Sequence, residues 1–191
     1  MTNDSDIIRR SLSVSSAFSE LYDRHATTIH RFVSRRAGSD VADDVMSETF
    51  LVAFERRRDY DLDRDTALPW LYGIASTLLR KHARTEARAW RGLKADHASH
   101  VAVDAFSDAE GRADARRAVD QLGHALHKMH ARDRETLLLY AWADLDYEGI
   151  AQALDIPVGT VRSRLNRARR LLRASTQYET TPRLEDAPWT N

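Results

Sequence analysis

The chain has 191 residues, 42% of them hydrophobic, which is enough for one domain or two small ones with a buried core. It has no run of 18 apolar residues and no cysteine, so a membrane-spanning helix, disulfides, thiolate metal sites and cysteine nucleophiles are not expected. The 29 Lys and Arg cancel the 29 Asp and Glu, yet the charge is sorted along the chain. Residues 40–65 carry nine acids against four arginines, whereas residues 156–173 carry six arginines and no acid. Such sorting points to different partners for different segments.

In chain order, residues 1–14 are expected to be loose. They are acidic before they are basic and make a poor secretion signal, so a cytoplasmic location is expected. From about Ser16, Phe18, Leu21, Tyr22, Ile29, Phe32 and Val33 recur at helical spacing up to Gly38. Ser39 or Asp40 is expected to cap the next helix, VADDVMSETFLVAFERR. Its apolar residues fall on two sides, Val41, Val45 and Val52 on one and Met46, Phe50 and Phe54 on the other, so it should lie between neighbours. The remaining side carries Asp44, Glu48, Leu51 and Glu55. That stripe reads either as solvated surface or, because of its exposed leucine, as a docking strip.

A polar loop follows, with Asp59, Asp61, Asp63 and Asp65 alternating. A calcium loop needs glycine at the sixth position and glutamate at the twelfth, where Arg64 and Trp70 stand. No metal or other cofactor is therefore expected there. The next helix has Pro69 near its start and Leu71, Ile74, Ala75 and Leu78 facing inward. Trp70, Thr77, Arg80, Lys81 and Arg84 point elsewhere. Residues 86–115 show no convincing period and read as a flexible linker. Helical rhythm returns with Val119, Leu122, Leu126 and Met129. ARDRETLLLYAWADL is another helix, with Asp133 as its expected cap and Leu137, Leu138, Tyr140 and Ala141 available for the core. His124, His127 and His130 read as surface or half-buried side chains. Residues 174–191 form a tail.

Residues 145–173, LDYEGIAQALDIPVGTVRSRLNRARRLLR, carry the strongest signal. Tyr147, Ile150, Ala151 and Leu154 give a short helix one apolar face, and Asp155-Ile156-Pro157 ends it. Val158, Val161, Leu165, Ala168 and Leu172 give a second helix its own inward stripe. Two helices joined by a short turn, the second opening beside a proline, make a helix-turn-helix. The outward side of the second helix presents Gly159, Ser163, Asn166 and Arg170, flanked by Arg162 and Arg167. Arg and Asn can meet base edges in a major groove with two hydrogen bonds each, and Thr160 sits where a phosphate would approach. A solvated basic helix covering the end of a bundle is the plainer alternative.

The segment LDYEGIAQALDIPVGTVRSRLNRARRLLR resembles the C-terminal promoter-binding domain of bacterial RNA polymerase sigma factors of the extracytoplasmic-function group, and ARDRETLLLYAWADL resembles the helix before it. DDVMSETFLVAF is similar to that family's polymerase-binding helix. LPWLYGIASTLLRKHAR is similar to the helix that handles the −10 element. The resemblance implies an all-α fold of two small helical domains joined by a linker: 16–85, region 2-like; 86–115, linker; 116–173, region 4-like with the helix-turn-helix; 174–191, tail. It implies a non-catalytic subunit that binds core RNA polymerase through its beta and beta-prime subunits. That subunit would read the −35 element of promoter DNA as duplex and the −10 element as a melted strand, and would often be held by an anti-sigma factor. By the resemblance and the helical wheel together, Asp44, Glu48, Leu51 and Glu55 are the expected polymerase contacts. Trp70, Thr77, Arg80, Lys81 and Arg84 are expected at the −10 element, and Thr160, Arg162, Ser163, Asn166, Arg167 and Arg170 at the −35 element. The family commonly has asparagine where Thr77 stands and aspartate where Lys81 stands. An ordinary DNA-binding regulator that forms no holoenzyme is the alternative, distinguished by binding duplex without polymerase.

Overall fold

A computed structural model describes residues 2–92 and 111–177, and every regular element among the described residues is helical. The first helix, α1 (Asp4–Ser13), occupies a segment expected to be loose. Asn3 nucleates it by accepting from the Asp6 amide at 2.8 Å, and Ile7 and Ile8 are fully buried. Ile7 and Ile8 enter a core built by later helices, and Asp4 and Arg10 pair with Arg24 and Glu20 on α2.

A 3₁₀ turn (Ser15–Phe18) leads into α2 (Ser19–Ala37), which buries Leu21, Ile29, Phe32 and Val33. Gly38, at φ 85°, breaks the chain from α2 into α3 (Ser39–Glu55), in a conformation that favours glycine. Ser39 and Asp40 lie inside the first turn of α3, and neither caps it. α3 packs between α2 and α4 (Leu68–Gly92), as its two apolar sides require. Edge-on aromatic pairs lock the three helices: Phe18 with Phe54, Tyr22 with Phe50, and Phe32 with Tyr72, at 4.8–5.3 Å between ring centres.

α4 continues into the segment read as linker, and α5 (Gly111–Lys128) begins before the expected rhythm. The middle of the expected linker and the end of the tail lie outside the described residues. α6 (Ala131–Trp142) is capped by His130, whose Nδ1 accepts from the Arg132 amide, so Asp133 is freed from the capping role assigned to it. Its core register also differs from expectation: Leu139 is fully buried, Leu137 and Leu138 are half-buried, and Tyr140 and Ala141 face outward. Leu122 on α5 is likewise exposed.

α7 (Tyr147–Leu154) and α8 (Val158–Gln177) complete the chain. α8 packs on α5, α6 and α7, with Val161, Leu165 and Ala168 fully buried. Burying side chains such as Leu165 contributes roughly 1.5–3 kcal/mol each. The N-terminal and C-terminal halves are in contact through α4 and α7.

Candidate nucleic-acid interface

The turn before α8 is built by local chemistry. Asp146 caps α7 by accepting from the Gly149 amide at 2.7 Å. Asp155 adopts the left-handed conformation at φ 50°, and the amides of Asp155 and Ile156 donate back to Gln152 and Ala151, closing the helix end. Pro157 then accepts from the Thr160 amide at 2.8 Å and starts α8. With Val161, Leu165 and Ala168 turned inward, Arg162, Ser163, Asn166, Arg167 and Arg170 are exposed and Thr160 is half-buried.

These side chains are not equivalent. Arg162, Asn166 and Arg170 make no hydrogen bond or ion pair among the described residues. The Ser163 hydroxyl turns back to donate to the Thr160 carbonyl. Arg167 is engaged: its guanidinium donates twice to the Asp133 carboxylate, at 2.8 and 2.9 Å. That pairing holds Asp133 below the usual carboxylate range. Arg167, expected at base edges, is exposed and also ties α8 to α6. Arg169 lies over the Tyr140 ring at 5.3 Å and against the Tyr147 hydroxyl, bracing the same junction.

In the N-terminal half, Trp70 stacks at a tilt on Tyr60, 5.0 Å between ring centres, and is half-buried. Thr77, Arg80, Lys81 and Arg84 are exposed along α4. The Thr77 hydroxyl donates to the Gly73 carbonyl and accepts from Arg80. The Lys81 ammonium lies 3.6 Å from the Glu48 carboxylate. The loop before α4 is shaped by Tyr60, whose hydroxyl donates to the Thr66 carbonyl at 3.1 Å. Burial pushes that phenol up to about 12, so it remains a donor.

On α3, Asp44, Glu48, Leu51 and Glu55 all face solvent, and Leu51 is 57% exposed. The structure thus separates three surfaces: the acidic strip of α3, the loop and outer face of α4, and the outer face of α8.

Contacts between the halves were not legible in the sequence. Arg36 on α2 and Glu135 on α6 form a buried pair with two hydrogen bonds, at 2.6 and 2.9 Å. Burial opposes the Glu135 charge, but Arg36 and Ser76 more than offset this, and its carboxyl is held below the usual range. Gly73 touches α7 so closely that an added Cβ would lie 2.4 Å from the Ala153 carbonyl oxygen. A cleft of about 500 Å³ between the halves is lined by Trp70, Thr77, Gln152, Ala153 and Asp155. In this arrangement α7 packs against Gly73 and faces Trp70 and Thr77 across the cleft.

Two family models match the chain in order: sigma-70 region 2 over residues 21–89 and sigma-70, region 4 over residues 120–172. The ECF RNA polymerase sigma factor SigC of Mycobacterium tuberculosis is 31% identical over 152 residues, covering 78% of this chain and 77% of the relative. The RNA polymerase sigma-H factor of Pseudomonas aeruginosa is 32% identical, covering 71% and 73%. Among solved structures, CnrH, bound to the cytosolic domain of CnrY, superposes with a TM-score of 0.63 at 23% identity over 93% of this chain and 99% of that one. The sigma factor RpoE of Bartonella quintana, bound to the anti-sigma factor NepR, gives 0.59 at 18% identity over 85% and 98%. These last two establish the shared fold. On the order of its two matched regions and the likeness of its relatives, the chain belongs to the sigma-70 family of RNA polymerase sigma factors, in the extracytoplasmic-function group.

Proposed function

We propose that the protein binds core RNA polymerase and directs it to particular promoters, making and breaking no bond itself. The α8 surface carries this reading: Arg162, Asn166 and Arg170 project from a helix whose opposite side is buried, and nothing in the described chain engages them. Placed in the major groove at the −35 element, the arginines donate to guanine O6 and N7, and Asn166 donates to adenine N7 while accepting from its N6 amine. Arg167 acts behind them, fixing α8 on α6.

The acidic strip of Asp44, Glu48, Leu51 and Glu55 docks on the beta-prime and beta subunits, with Leu51 as its apolar anchor. The −10 element is captured as a melted strand. Trp70 offers a face to an unpaired base, while Arg80, Lys81 and Arg84 follow the backbone. Lys81 is close to Glu48, so DNA and polymerase surfaces adjoin. Because α7 stands across the cleft from Trp70, separation of the halves gives that strand room at Trp70. An anti-sigma factor that favours the closed arrangement would keep the protein inactive; the sigma factor RpoE, solved with the anti-sigma factor NepR, supports such a partner.

Run-off transcription from a promoter-bearing template, with purified core polymerase and with or without the protein, tests the reading. Addition should produce defined transcripts, and Asn166→Ala together with Arg170→Ala should suppress them. Failure to bind core, or transcripts unchanged by the protein, would reject it.

A further inference from the structure

The first helix lies outside both matched family regions, yet it holds the loop that precedes α4. Asp4 is 3% exposed. One of its carboxylate oxygens accepts from the Ala67 amide at 2.7 Å and from the His25 ring at 2.8 Å, and the other from Arg24 at 2.6 Å. Its own amide donates to the Asp65 carbonyl, and the Ser5 hydroxyl donates to the Arg64 carbonyl. Beyond contacts within residues 60–71, the hydrogen bonds that hold this loop among the described residues come from Asp4 and Ser5.

α1 is itself fixed. Ile7 and Ile8 are buried, Arg24 binds Asp4, and Arg10 donates twice to Glu20 at the start of α2. The loop is otherwise exposed from Asp63 to Thr66. A loop that must meet an unpaired strand gains from being set before binding, since ordering it afterwards would cost conformational entropy. Ala67 is the residue where loop becomes helix, three positions before Trp70. Fixing its amide sets both the path of the loop and the start of α4.

We propose that Asp4, assisted by Ser5, is a positioning residue for selection of the melted strand, presetting the loop 61–67 and Trp70 from outside the family's region 2. The inference rests on the −10 reading above. Asp4 touches no DNA and acts through the loop alone.

Two measurements test it, on the full chain carrying Asp4→Ala, with Ser5→Ala as the milder variant should the first fold poorly. The first is amide hydrogen exchange of the free protein. The variants should lose protection at Ala67 and in loop 61–67 by more than the α3 core amides do, since those report only the global loss of stability. Unchanged loop exchange overturns the proposal. The second uses holoenzyme and bubble templates whose unpaired non-template strand is randomised. Wild-type holoenzyme should enrich a base pattern, and Asp4→Ala should reduce that enrichment by up to about tenfold, the scale of one stacked base. Affinity for core should stay within about twofold, because Asp4 touches no residue of the α3 docking strip. If the wild type enriches a pattern and the variants enrich it equally, Asp4 has no positioning role and the −10 reading stands. If the wild type enriches none, the −10 reading itself falls and takes this proposal with it.

Discussion

Replacing Glu135 by alanine should open the two halves of the protein. Glu135 and Arg36 have side-chain exposures of 7% and 11% and share two hydrogen bonds across the junction. Removing one partner of a buried ion pair strands the other charge, at a cost of about 3–5 kcal/mol. Here Arg36 has an escape, because separation of α2 from α6 returns its guanidinium to water. The penalty therefore falls on the closed arrangement, and at the lower figure it shifts the closed-to-open ratio by about a hundredfold. With no native cysteine in the chain, Asp23→Cys and Lys128→Cys provide a single labelled pair across the halves for energy-transfer measurements. Glu135→Ala should broaden and lengthen the distance distribution, and should raise affinity for single-stranded DNA as the half-buried Trp70 gains room. Gly73→Ala should act in the same direction by an independent route, since its Cβ would be driven to 2.4 Å from the Ala153 oxygen. A distance distribution unchanged in both variants would refute the view that these contacts hold the halves together.

Acid should attack the protein through Asp4. Its carboxyl is lowered from 3.8 to about 2: burial alone would raise it, but His25, the Ala67 amide and Arg24 prevail. A depressed carboxyl stabilises the fold fully above the unfolded value and loses that contribution as pH falls from about 4 towards 2. About 2 kcal/mol is at stake, so urea midpoints of wild type and Asp4→Asn should differ at pH 5 and converge near pH 2. On α8, Arg170→Ala should weaken −35 duplex binding by holoenzyme by about 1–3 kcal/mol without lowering the melting temperature. Arg167→Ala should instead lower thermal stability, because it leaves Asp133 unpaired. Leu51→Ala should reduce core affinity by at least about fivefold in competition binding, yet leave the melting temperature within the range of ordinary surface changes.

Much of the architecture was legible in the residues because periodicity and punctuation agreed. Gly38 ended α2, Pro157 opened α8, and the paired apolar sides of α3 foretold a helix with neighbours on both flanks. Errors arose where local pattern was weak or ambiguous. LLLYA on α6 is apolar on every side, so the packing of α7 and α8 had to choose Leu139 over Tyr140. α1 has only Ile7, Ile8 and Leu12 to announce it, and its burial depends on a core assembled further along the chain. Candidate capping by Ser39 and Asp133 failed for a related reason: several nearby residues could cap, and backbone geometry selected Gly38 and His130.

The sequence by itself determined the helices from α2 onwards, the helix-turn-helix, the sorted charge and the outward faces of α3 and α8, because these depend on spacing within a few turns. Only the tertiary structure decided which charges were free to act. Asp4 reaches a loop some sixty positions away, Glu135 meets Arg36 at a separation of 99 residues, and Arg167 is claimed by Asp133. A charged side chain carries no mark in its own neighbourhood of whether it will face water, nucleic acid or an opposite charge. That outcome is set by the distant surface brought against it when the helices pack.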